Sequence, residues 1–212
     1  MLSIQSFTFN PFQENTYILF DESKDCVIID PGCYTAQERT ELISFIENNG
    51  LNPLKLLNTH CHIDHVLGNS FISDKYKLEL EINQLDLPTL IATTVYGPTM
   101  GIFMDKSPEP TAFLEEGDVV KFGNTALDVL FTPGHSPGSI CFYDKETQTV
   151  IAGDVLFQGS IGRTDLPGGN FDTLINSIRQ KLFTLDDRVK VYPGHGPPTG
   201  IGFEKKHNPF LT

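Results

Sequence analysis

Apolar residues recur along this chain in two periods, and the switch from one to the other happens twice. Alternation predicts strands at residues 2–9, 16–20 and 26–29. Only the polar turn 21–25 separates the last two, so this group opens antiparallel. Asp30-Pro31-Gly32 ends the third strand. Residues 35–48 then carry Leu42, Ile43, Phe45 and Ile46 on a helical period that Asn49-Gly50 stops. Short strands follow at 54–57 and 77–82. A second series reads as strands at 119–122, 126–131, 139–143 and 149–152, the last two joined by Asp144-Lys145-Glu146. Next comes a helix at 171–185 with Leu174, Ile175, Ile178 and Leu182 on one face, then a strand at 190–192. Between the two series, residues 84–112 mix a helical pattern with Pro88, Gly97, Pro98, Gly101, Pro108 and Pro110, which predicts a partly helical excursion and a candidate lid. Strands followed by a helix, given twice, predict an α+β fold in which two sheets pack face to face with helices outside.

The densest chemistry lies just after the strand at 54–57. Thr59-His60-Cys61-His62-Ile63-Asp64-His65 packs three imidazoles and a carboxylate into six residues, and the residues from Val66 onward can begin a short helix. The cluster therefore falls on a strand-to-helix loop, where side chains can converge on one point. Neutral imidazoles and carboxylates suit zinc, iron and manganese. A polar surface loop would have to hold half of the six histidines by accident. Further ligand types sit in glycine-bearing turns after predicted strands: His135 in Thr132-Pro133-Gly134-His135, Asp154 in Ala152-Gly153-Asp154, and His195 in Pro193-Gly194-His195-Gly196. Glycine permits the tight turn and close approach that bring a loop onto a shared centre. His207 is left over and reads as a surface residue.

Composition narrows the partners. The chain has 212 residues, 39% of them hydrophobic, enough for one domain (1–212) with a substantial core. A formal charge of -12 argues against a nucleic-acid groove or an anionic membrane surface, each of which needs a basic stripe. A small-molecule substrate is expected. Cys26, Cys33, Cys61 and Cys141 have no C-x-x-C spacing and suit reduced thiols in a cytoplasmic protein. Cys61 reads as a spacer whose side chain points away from the metal. The N-terminus lacks a basic n-region and a long apolar run, so neither a signal peptide nor a membrane helix is expected. Nothing in the sequence signals an oligomeric state.

The H-x-H-x-D-H run, with its downstream histidine, aspartate and histidine in that order, resembles the metallo-β-lactamase superfamily over nearly the whole chain. The resemblance implies a four-layer αβ/βα sandwich with the site at one edge. It also implies two divalent metal ions, zinc first, with iron or manganese as alternatives. One ion would be held by His60, His62 and His135, the other by Asp64, His65 and His195, and Asp154 would bridge them. The β-lactamases of the best-known class place a cysteine at the Asp154 position, which argues against antibiotic hydrolysis. Asp154-Val155-Leu156-Phe157, followed by Gly162-Arg163-Thr164-Asp165, resembles the glyoxalase II-like group, which includes hydroxyacylglutathione hydrolases and persulfide dioxygenases. Phe157 stands where homoserine-lactone lactonases usually carry a tyrosine, so a lactonase ranks lower. The chain runs seventeen residues beyond His195, without the helical domain that binds glutathione in the longer glyoxalase II enzymes, which leaves the thiol half of the substrate open.

These readings converge on a metal-dependent hydrolase cleaving a thioester such as a hydroxyacylglutathione. Two ions about 3.5–4 Å apart can share a water and make hydroxide available at neutral pH. Asp64 would act both as ligand and in orienting the nucleophile. Arg163, nine residues beyond Asp154 in an irregular glycine-rich loop, is the candidate for holding a substrate carboxylate through a two-bond fork, its alternative being an internal ion pair with Asp165 or Asp172. A different reaction class uses the same residues: a single iron on His60, His135 and Asp154 would suit persulfide oxidation. A purely structural metal would close its coordination with far fewer ligands than the seven offered.

Overall fold

The computed structural model describes residues 1–212. Its first sheet contains, in spatial order, β1 (Ser3–Phe9), β2 (Glu14–Phe20), β3 (Asp25–Ile29), β4 (Asn52–Leu57), β5 (Leu80–Ile82) and β6 (Ala112–Phe113). β1 to β3 pair antiparallel. β3 to β6 pair parallel, with helical crossovers supplied by α1 (Ala36–Asn48), α2 (Ile63–Val66), α3 (Asn69–Tyr76) and α4 (Leu87–Tyr96). The chain then runs through β7 (Val119–Phe122), β8 (Thr125–Phe131), β9 (Ile140–Asp144) and β10 (Thr149–Gly153). A small hairpin of β11 (Leu156–Phe157) and β12 (Ser160–Ile161) leads into α5 (Phe171–Ser177), and β13 (Lys190–Pro193), β14 (Thr199–Gly200) and α6 (Ile201–His207) complete it. The second sheet has the order β14-β13-β10-β9-β8-β7, in which only the β10–β13 pair is parallel.

Strand periodicity produces the layers. Along β3, Cys26 and Ile28 face the cluster that packs under Leu42 and Ile46 of α1 and Ile72 of α3, while Val27 and Ile29 face the other way. Along β9, Ile140 and Phe142 join Val27 and Ile29 between the sheets, whereas Cys141 and Tyr143 pack against Leu174 of α5 and Ile201 of α6. One apolar layer thus lies between the sheets and one beneath the helices on each outer side, giving an αβ/βα sandwich.

The helix expected at 35–48 has Thr35 as its N-cap within a capping box that Glu38 completes. The excursion at 84–112 is partly helical: a 3₁₀ turn (Gln84–Asp86), α4, and a second 3₁₀ turn (Gly97–Met100). Three boundaries differ from the sequence reading. The helix after the histidine cluster begins at Ile63 rather than beyond His65, so Asp64 and His65 sit on its single turn. The strand expected at 77–82 starts only at Leu80, because α3 runs to Tyr76 and ends on Lys77 in the left-handed region. The helix expected at 171–185 is α-helical only to Ser177, continues as a π-helical turn (Ile178–Leu182), and stops there.

Candidate metal centre

β8 and β10 run in the same direction, since each is antiparallel to β9, and β13 runs parallel to β10. Their C-terminal ends therefore meet at one end of the second sheet. The loops leaving those ends carry His135, Asp154 and His195, and the loop leaving β4 of the first sheet carries the histidine cluster. All seven residues read from the sequence as ligands come together there.

Six of the seven fall into two trios. His135 Nε2 lies 2.8 Å from His62 Nδ1 and 3.2 Å from His60 Nε2. His195 Nε2 lies 3.0 Å from Asp64 Oδ2, and His65 Nε2 lies 3.7 Å from the same oxygen. Both trios have the spacing of a metal-holding group. Asp154 stands between them: Oδ2 is 3.5 Å from His135 Nε2 and from His195 Nε2, and Oδ1 is 3.5 Å from His65 Nε2.

In four of the five histidines the other ring nitrogen has a partner that fixes which nitrogen faces the centre. His135 Nδ1 donates to the Arg163 carbonyl at 2.7 Å and His195 Nδ1 to the Gln13 carbonyl at 3.2 Å. A carbonyl only accepts, so Nδ1 carries the proton and Nε2 is left with its lone pair. His65 Nδ1 donates to Asp30 Oδ2 at 3.1 Å. His60 Nδ1 meets Thr59 Oγ1 at 3.2 Å, and that hydroxyl gives its own proton to Asp30 Oδ2 at 2.5 Å. Imidazoles held by outer partners in this way are the usual arrangement around a bound metal.

The residues present fit a metal. Neutral rings aimed at one another across 3.2 Å repel unless a cation lies between them. His65 Nε2 and Asp154 Oδ1 are buried without any hydrogen-bond partner, a cost that a bound ion would remove. Burial, then repulsion from His65 and His135, pushes His60 well down, and burial with His135 pushes His62 down to about 3. Both therefore stay neutral donors at physiological pH. Across the centre, burial opposes charge on His65, but Asp64 and Asp154 outweigh it and push His65 well up. Burial alone would raise Asp154, yet His65 outweighs it and holds the carboxyl below the usual range. This half is compensated like an ion pair, and a divalent cation would take the place of the proton.

Two buried carboxylates here went unread in the sequence. Asp30 sits at φ 49° just beyond β3, accepts from the Thr59 amide at 2.7 Å, and holds two of the imidazoles. Its signal was available: like the other ligand positions, it follows a strand in a glycine-bearing turn. Glu14, fully buried at the start of β2, accepts from Thr16 Oγ1 at 2.9 Å and lies 3.9 Å from His65 Nδ1. Arg163 reaches the centre only through its backbone carbonyl. Its guanidinium is exposed and makes two 2.7 Å bonds to Asp165. Cys61 points into the apolar layer of the first sheet, and His207 is exposed against the Phe203 ring. All four cysteines are buried and unpaired.

A model of the metallo-β-lactamase superfamily matches residues 9–195, a span that contains all seven converging residues. The chain belongs to the metallo-β-lactamase superfamily. Within this superfamily it is 41% identical to the probable metallo-hydrolase YqgX of Bacillus subtilis, over 95% of this chain and 94% of that one. It is 38% identical to the hydroxyacylglutathione hydrolase GloC of Haemophilus influenzae, over 100% and 99%. Solved metallo-β-lactamase-fold structures that it resembles include the B3 metallo-β-lactamase BLEG-1 (TM-score 0.91, 35% identity, 99% and 100% covered) and TTHA1623 in a di-iron-bound form (0.88, 39%, 98% and 100%). ETHE1 from Myxococcus xanthus follows at TM-score 0.80 and 26% identity, with 98% and 83% covered. The chain is thus a metallo-hydrolase of this superfamily. No helix is long and apolar enough to cross a membrane.

Proposed function

We propose that this protein hydrolyses thioesters, with hydroxyacylglutathiones as the leading substrates, at a centre holding two divalent ions. The observation that carries the reading is Asp154, whose Oδ2 lies 3.5 Å from a ligand nitrogen of each trio and whose Oδ1 lies 3.5 Å from His65 Nε2. His60, His62 and His135 would hold one ion, Asp64, His65 and His195 the other, and Asp154 both. The two ions, when bound, supply Lewis acidity and a hydroxide at neutral pH. Asp64, whose Oδ2 lies 3.0 Å from His195 Nε2 and 3.7 Å from His65 Nε2, would orient the attacking water as well as hold its ion. Water adds at the thioester carbonyl, the C–S bond breaks, and an acid and a thiol leave. Thiols have a pKa near 8.5, so the thiolate departs without a general acid. Phe157, whose ring stands 6.3 Å from that of His195, offers no hydroxyl to protonate a worse leaving group, which supports a thioester over a lactone. The likeness to GloC over 99% of its length supports the same substrate class.

Zinc suits a thiolate leaving group, while the di-iron form of TTHA1623 puts iron beside it as a candidate. The test joins elemental analysis of the purified protein, expected to give about two ions per chain, to a hydrolysis assay with S-lactoylglutathione. Cleavage with no oxygen uptake on glutathione persulfide is the expected result. Turnover of a chromogenic cephalosporin, and not of the thioester, would instead align the protein with BLEG-1. The second reading is a persulfide dioxygenase. It is favoured by the likeness to ETHE1 and by the set His60, His135 and Asp154, in which His135 Nε2 lies 3.2 Å from His60 Nε2 and 3.5 Å from Asp154 Oδ2. One tightly held iron with oxygen consumption would establish it.

A further inference from the structure

Asp86 is fully buried outside the metal-facing set, at the junction where the first 3₁₀ turn passes into α4. It occupies the N-cap position of that helix, yet its side chain makes no capping bond there. An aspartate at an N-cap ordinarily accepts from the first-turn amides. Here both oxygens are used elsewhere: Oδ2 accepts from the Cys61 amide at 2.6 Å, and Oδ1 accepts from the Gly138 amide at 2.7 Å and from the Ser136 hydroxyl. Cys61 lies between His60 and His62, and Ser136 follows His135. One carboxylate therefore joins the two loops that carry all three histidines of one trio. The loops also close tightly around it, since a Cβ on Gly138 would come within 2.6 Å of the Asp86 amide. Burying a carboxylate is costly unless hydrogen bonds compensate, and these three belong to the loops rather than to α4.

We infer that Asp86 is a positioning residue for the His60, His62 and His135 trio, setting the spacing of its two loops and thereby the affinity of that one metal position. It makes no bond to His195 or to the turn carrying Asp64 and His65, which follows the Cys61 segment and has partners of its own: Asn58 Nδ2 donates to the His65 carbonyl at 3.1 Å, Asn10 Nδ2 to the Asp64 carbonyl at 3.0 Å, and the Gln13 carbonyl accepts from His195 Nδ1. The inference rests on the two-ion reading above and adds that Asp86 acts directly on one position only, whereas Asp30 holds an imidazole of each.

The test is stepwise chelation of the zinc-loaded protein, counting ions retained per chain. In Asp86→Ala one ion should leave at about 10–100-fold lower chelator concentration, the usual effect of losing an outer partner, while the second leaves as in the unsubstituted protein. Asp86→Asn preserves the shape and one acceptor, so it should fold normally and show a smaller shift of the same ion. Ser136→Ala, which removes one of three donors, should shift it less still. Both ions weakening equally, or neither moving in either Asp86 variant, overturns the inference, and a fall in melting temperature with an unchanged release profile does the same. A single ion in the unsubstituted protein would contradict the two-ion reading instead. The role of Asp86 would then be decided by whether that ion is released more easily from Asp86→Asn.

Discussion

Gly194 is placed where no other residue fits. A Cβ there would lie 2.2 Å from Asp154 Oδ1 and 2.7 Å from His65 Cε1, so a methyl group would push apart two of the residues that face the centre. Gly194→Ala should therefore keep the fold and lose most bound metal, which elemental analysis paired with a melting curve would register. Arg163 presents a different balance. Its fork is filled by Asp165, but the pair is exposed and screened by solvent, so a substrate carboxylate can compete for it. Arg163→Ala should raise KM for carboxylate-bearing thioesters, with metal content and the turnover of small neutral esters nearly unchanged. Equal losses on both substrates would leave the arginine as a fastener of its own loop. The seven ligand-type residues were legible because histidine and aspartate recur in the same strand-turn context. Asp30 shared that context but was absorbed into an Asp-Pro-Gly turn, and Asp86 and Glu14 have no local signature, since the loops that Asp86 holds and the His65 ring that Glu14 faces lie far away in sequence.

Among the elements, α1 shows how a local signal extends into the site. Glu38 completes the capping box with Thr35, and it also accepts from the amides of Tyr34 at 2.8 Å and Asn10 at 2.7 Å. Asn10 in turn donates to the carbonyls of Gly32 and Asp64. Thr35→Ala should cost about 1 kcal/mol, the usual value for a lost cap. Glu38→Ala should cost more, because three amides lose their acceptor, and chemical denaturation of the two variants side by side would rank them. Strands of five or more residues with clean alternation were legible, as was α1. The two-residue strands β6, β11, β12 and β14 and the seven-residue α6 were not, being too short to establish a period. The parallel pairings β3–β4, β4–β5, β5–β6 and β10–β13 could not be read either, since they join segments distant in sequence through crossovers.

At the scale of the molecule, the sheets are also fastened at Asp21, in the turn between β2 and β3. Its carboxylate accepts from Ser23 on its own turn, and from the Asn124 amide at 2.7 Å and the Thr125 hydroxyl at 2.9 Å on the β7–β8 turn of the other sheet. Burial alone would raise its pKa, but these bonds outweigh it and lower the pKa from 3.8 to about 2. The stabilisation is therefore full above the unfolded value and is lost as pH falls through the folded one. Asp21→Asn should destabilise the protein by about 1–2 kcal/mol at pH 7. That difference should shrink between about pH 4 and pH 2 in denaturation curves of the two proteins, and a constant difference across that range would contradict the assignment.

Each trio draws on both sheets: His60 and His62 hang from the first and His135 from the second, and Asp64 and His65 from the first and His195 from the second. Ions seated there would tie together loops that are remote in sequence and meet only once both layers have formed. Such ties contribute little to the folding barrier and mostly to the reverse one. Metal would then act as a latch on lifetime rather than as a nucleus for folding. Chelation should accelerate unfolding in denaturant many-fold and barely alter the refolding rate, so that the resistance of this protein to proteolysis and heat would follow its metal supply.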